Sequence, residues 1–111
     1  MKSIMHFIER LQRAGGLKGV DIANMAGVST STVSRWVSGR KAPHPETQLR
    51  MSDLSYVVMR LSEYYARDEV RVWLYARHPQ FQGERAIDII FDDRTEDIIA
   101  ILDRLDSDAY L

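Results

Sequence analysis

The sequence contains no cysteine. Disulfides and thiolate metal sites are therefore excluded, and a reducing compartment fits. Histidine is scarce too. His6, His44 and His78 are scattered, and no pair has metal-ligand spacing on a helix. There is no glycine-rich phosphate loop, no Gly-x-Ser-x-Gly and no carboxylate pair set to flank a cleft. Asp92-Asp93 reads as a solvated turn. These absences leave no enzyme chemistry, metal or cofactor to expect. Nor does any apolar run approach the ~20 residues that span a bilayer. The first ten residues alternate apolar groups with charge, unlike a signal peptide. A soluble, cytoplasmic chain without a membrane partner is expected.

What the chain does have is helical periodicity and a divided charge. Its 111 residues suit one compact domain, and 45% hydrophobic content suffices for a packed core. The formal net charge is -1. It conceals eight Lys/Arg against three Asp/Glu in residues 1–50, and seven Arg against thirteen Asp/Glu in residues 51–111. A basic half can face phosphates, whereas an acidic half repels them. An acidic helical face is also what solvation alone produces.

Ile4, Phe7, Ile8 and Leu11 follow helical spacing, predicting a first helix over about 2–14, stopped at Gly15-Gly16. Short helices are predicted over about 18–25 and 30–38, the latter capped by Ser29. A long helix with Pro45 at its first turn is expected over about 45–66. Further helices are expected over about 68–77, 84–91 and 95–106, with Thr95 as the last N-cap. No strand alternation persists. The expected fold class is all-α: a helix-turn-helix N-terminal lobe, a long bridging helix and a small helical C-terminal lobe. The expected division is residues 1–66 for DNA binding and 67–111 for a second partner, as lobes of one domain.

Gly19 to Ser38 carries the most specific pattern. Two short helices that cross steeply need a small residue at the crossing, and Ala23 is there. The turn needs a residue tolerant of positive φ, and Gly27 follows four positions later. Val28 plugs the turn, Ser29 caps the second helix, and Val33 and Trp36 bury it. This run resembles the Xre/lambda-repressor-like helix-turn-helix family across about residues 4–65. In that geometry the second helix enters the major groove, and Thr30, Ser31, Ser34, Arg35 and Ser38 face outward with Ser29 at its start. Arg35 can pair with guanine O6 and N7, while Lys18, Arg40 and Lys41 are placed for phosphates. The resemblance implies double-stranded operator DNA as a partner. One such helix reads only a few base pairs, so a homodimer on a palindrome is expected.

The acidic half has a second pattern, made by Trp73, Leu74, Pro79, Phe81, Gly83, Asp88, Ile89 and Ile90. A closing helix follows with Ile98, Ile101, Leu102 and Leu105. This is similar to the C-terminal toxin-binding domain of the MbcA/ParS/Xre antitoxins. Two positions depart from it: Ala86 stands where proline is usual, and Asp92 or Asp93 where glycine is. The resemblance implies a RES-domain toxin as partner, an enzyme that consumes NAD, with the antitoxin's C-terminal region covering the NAD pocket and the complex repressing its own operon. An acidic plug suits a pocket built for a pyrophosphate. Asp103, Asp106, Asp108, Tyr110 and the C-terminal carboxylate of Leu111 are the candidate toxin contacts. The alternative is a stand-alone repressor with a helical dimerisation half.

Overall fold

The computed structural model describes residues 4–108. Among them are seven α-helices and no strand beyond one isolated bridge between Arg77 and Arg85. They are α1 (Ile4–Gly15), α2 (Gly19–Ala26), α3 (Thr30–Val37), α4 (Pro45–Leu61), α5 (Arg67–Tyr75), α6 (Ala86–Phe91) and α7 (Thr95–Asp108). A single 3₁₀ turn, Pro79–Phe81, joins α5 to α6.

The long helix organises the rest. One side of α4 buries Met51, Leu54, Val57, Val58 and Leu61, all without solvent contact. That side packs on α1, α6 and α7. Gly15 makes the α1–α4 contact close. A Cβ there would lie 3.2 Å from Val58 Cγ1. The apolar interior then runs unbroken from Ile8 in α1, through Ile22 and Trp36, to Leu102 in α7. Each fully buried Leu or Ile contributes about 1.5–3 kcal/mol relative to exposure. The two lobes therefore share one core.

Two expectations are corrected. The long helix ends at Leu61, not near residue 66. The N–H groups of Glu63 and Tyr64 donate three residues back, to the Arg60 and Leu61 carbonyls, and Ser62 Oγ donates to the Met59 carbonyl at 2.7 Å. These short-range bonds tighten the last turn and end it. Thr95 is also not a solvent-side cap. It is the first residue of α7, buried, and its hydroxyl donates to an Asp53 carboxylate oxygen of α4 at 3.1 Å. This Thr hydroxyl joins two helices instead of closing one.

Candidate nucleic-acid interface and acidic lobe

The helix-turn-helix is built as its residues require. Ala23 is buried at the α2–α3 crossing, and Gly27 adopts φ 68°, a left-handed conformation that needs glycine's freedom. The Val28 N–H donates to the Ala23 carbonyl at 3.0 Å and closes the turn. Ser29 Oγ accepts from the Thr32 N–H at 3.1 Å, so Ser29 is held in its capping role. Val33 and Trp36 face inward, leaving the opposite side of α3 to solvent. Trp36 is a core residue, although its buried indole N–H meets no acceptor among the described residues.

Ser31, Ser34, Arg35, Ser38 and Arg40 line one hollow of about 420 Å³ on this exposed side. Just past α3 the chain folds back. The N–H groups of Arg40 and Lys41 both donate to the Arg35 carbonyl, at 2.9 and 3.3 Å. This brings three cationic residues to one end of the helix. None of them, nor Lys18, makes a salt bridge among the described residues. Thr30 is exposed at the other end of α3, as its first residue. Lys18 sits at the N-cap of α2, where its own N–H donates to Asp21 Oδ2 at 2.8 Å. The Asp21 carboxylate already takes that N–H and places a negative charge beside the helix start.

Asp21 is the residue that the linear pattern did not single out. It is 4% exposed. Its Oδ1 accepts from Arg71 at 3.0 Å and from the Tyr75 hydroxyl at 2.8 Å, both on α5. Burial pushes this carboxyl up in pKa. The donors Lys18 N–H, Tyr75 and Arg71 outweigh that and hold it below the usual value. Burial and the adjacent Asp21 raise Tyr75 to about 12. The first helix of the helix-turn-helix is thus tied directly to the first helix of the C-terminal lobe. The only linear clue was an acid three residues after a helix start. The partners, 50 and 54 residues on, gave none.

In the C-terminal lobe, Trp73, His78 and Phe81 form an aromatic cluster around the Pro79 turn, with Trp73 and His78 centroids 4.5 Å apart. His78 Nε2 lies 2.8 Å from the Trp73 carbonyl. The two departures from the antitoxin pattern are explained here. Ala86 is the first residue of α6, a position that proline also suits. Asp93 holds φ 61°, the left-handed conformation that glycine takes easily and Asp tolerates. Asp88 pairs with Arg85 in a two-pronged contact of 2.8 and 3.1 Å and is a local turn contact.

The acids proposed for the second partner are already engaged. Arg60 of α4, only 11% exposed at its side chain, donates to Asp103 at 3.1 Å and to Asp106 at 2.5 Å. The Tyr64 hydroxyl also donates to Asp106. That bond and Arg60 hold Asp106 low in pKa, and the same carboxylate pushes Tyr64 up to about 12. Asp103 keeps most of its side chain in solvent, at 65%. Asp108 closes α7. Tyr110 and Leu111 lie outside the described residues.

Comparison with known proteins agrees with both halves. The helix-turn-helix domain family matches residues 6–72. The mycobacterial cidal antitoxin MbcA of Mycobacterium tuberculosis strain CDC 1551 / Oshkosh is 26% identical over 98 residues, covering 88% of this chain and 83% of that one. A probable mycobacterial cidal antitoxin of M. tuberculosis strain H37Rv is 30% identical over 96 residues, covering 86% and 82%. A chain in the crystal structure of the M. tuberculosis MbcT-MbcA toxin-antitoxin complex superposes with a TM-score of 0.77 at 21% identity, covering 93% of each.

Proposed function

The chain belongs to the MbcA-type antitoxins with a helix-turn-helix domain, and from that premise we propose that it neutralises an NAD-consuming RES-type toxin and represses its own operon. The observation that carries this reading is the span of the likeness, which takes in both lobes rather than the helix-turn-helix alone. It acts by binding, not by catalysis.

On the DNA side, the recognition helix α3 lies in the major groove. Arg35 pairs with a guanine edge, and Thr30, Ser31, Ser34 and Ser38 supply hydroxyls to bases or phosphates. Ser29 positions the helix start through its cap and can add a phosphate contact. Lys18, Arg40 and Lys41 hold the backbone and set the salt dependence. The division into a DNA-binding region, residues 1–66, and a toxin-binding region, residues 67–111, follows this reading, with the two tied through Asp21.

On the toxin side, Asp103, Asp106, Asp108, Tyr110 and Leu111 present the acidic end of the chain to a cationic dinucleotide pocket. The single bonded oxygen of Asp103 leaves its second oxygen available. Asp106 serves by keeping α7 pinned to Arg60.

The test is co-expression with the protein encoded beside this one, following growth and cellular NAD. The neighbour alone is expected to deplete NAD and stop growth. The full chain restores both, and a chain ending at Asp106 does not. A harmless neighbour, or no rescue by the full chain, returns the protein to the class of plain repressors.

A further inference from the structure

We infer that a hollow on the solvent side of α5 is a binding site for a small organic cation, an ammonium carried on an apolar body. Asp68 and Val72 lie four residues apart on α5, as do Glu69 and Trp73, so the four share one side of the helix. Tyr65 before the helix, and Ala76 and His78 after it, complete a hollow of about 390 Å³. That volume falls within the ~300–1,000 Å³ range of small-molecule sites. The half-buried rings of Tyr65, Trp73 and His78 line it. Trp73 and His78 meet with centroids 4.5 Å apart at an interplanar angle of 40°. His78 Nε2, at 2.8 Å from the Trp73 carbonyl, ties the two residues together. Val72, 65% exposed, adds aliphatic surface that no part of the described chain covers.

The class of ligand follows from charge. Two carboxylates line the hollow, and no Lys or Arg does. Glu69 accepts the Ala66 N–H at 2.9 Å with one oxygen, which closes the start of α5, and keeps the other. Asp68 makes no salt bridge among the described residues. Elsewhere in this lobe Glu84, Asp88 and Asp106 each face an arginine. This rim repels an anion, and a neutral molecule engages the rings alone. A cation engages both parts. Its apolar body covers Val72 and Ala76, while its charged end meets the carboxylates and the π faces. A concavity of this size suits a small molecule better than the broad contact of a folded partner. None of its residues is among the contacts named for DNA or toxin, and its occupancy requires neither.

Tryptophan fluorescence of the full chain provides the test. The chain has two tryptophans, and Trp36 is only 2% exposed, so a change on titration reports Trp73. The probe is 2-phenylethylamine, with 2-phenylethanol as its neutral counterpart. The amine is expected to give a saturable change with a Kd of about 1 mM or tighter, and the alcohol to bind at least ~tenfold more weakly. Asp68→Asn should weaken the amine by about threefold or more. Glu96→Gln is the matched control, since it also removes an acid from the first turn of a helix. It should leave the amine's affinity unchanged. No saturable change, equal affinity for the alcohol, or the same response in Asp68→Asn and Glu96→Gln overturns the inference. So does Asp68→Asn that loses capture of the toxin while binding the amine as before, which gives the hollow to the toxin.

Discussion

The two lobes handle charge in opposite ways. The basic lobe leaves its cations unspent: Arg35, Arg40 and Lys41 gather at one end of α3 with no acid in reach among the described residues. The acidic lobe pairs several of its anions internally. Arg60 holds Asp103 and Asp106, Arg85 holds Asp88, and Arg94 gathers Glu84, Asp92 and Asp97. A count of charges per segment therefore overstates what the second lobe offers a partner. It states fairly what the first lobe offers. Unpaired charge on a rigid helix is a field directed outward, whereas paired charge is mostly architecture.

The sharpest way to break the contrast is at the joint between the lobes. Asp21→Ala removes a buried acceptor of three hydrogen bonds and leaves Arg71 and Tyr75 without their partner, and should cost about 3 kcal/mol of stability by denaturant titration. The same group sets an acid limit. Its folded pKa is depressed, so its contribution is complete above the unfolded value near ~3.9 and is lost as pH falls through the lower folded one. Stability should decline as pH drops below about 4, and Asp21→Asn should flatten that decline.

Next in size is Arg35→Ala, which should weaken operator binding by about 1–3 kcal/mol and relax specificity at one base, with an unchanged melting temperature. If instead it unfolds the protein, the unspent-cation picture of α3 is wrong. Arg60→Ala should lower the melting temperature by a few degrees, since its partners are substantially solvated. It should blunt toxin rescue while leaving DNA affinity intact. The smallest effect belongs to Lys41→Ala. Affinity should fall evenly across sequences, and the slope of log affinity against log salt should drop by about 1.

Much of the fold was legible because its causes are local. Ala23, Gly27, Ser29, Val33 and Trp36 each do one geometric job within twenty residues, and each is found doing it. The same locality explains the proposed recognition surface, whose hollow collects five of the residues read as facing outward or toward phosphate. What escaped was long-range or competitive. Thr95 has the composition of a cap, yet Asp53 takes its hydroxyl. The apolar stripe of α4 continues in sequence to Tyr65, but the three-residue bonds from Glu63 and Tyr64 onto the Arg60 and Leu61 carbonyls stop the helix first. Asp103 and Asp106 read as free acids because Arg60 lies 43 and 46 residues away. Asp21 looked like one acid in a basic half, and is the tie between the lobes.

The central claim is that DNA and toxin are met by separate faces of one folded unit. The most direct measurement is growth rescue from the co-expressed neighbouring toxin by a chain carrying Arg35→Ala, Arg40→Ala and Lys41→Ala. Full rescue, alongside lost operator binding in a gel-shift of the same chain, is the predicted result. Rescue that fails together with operator binding would contradict it.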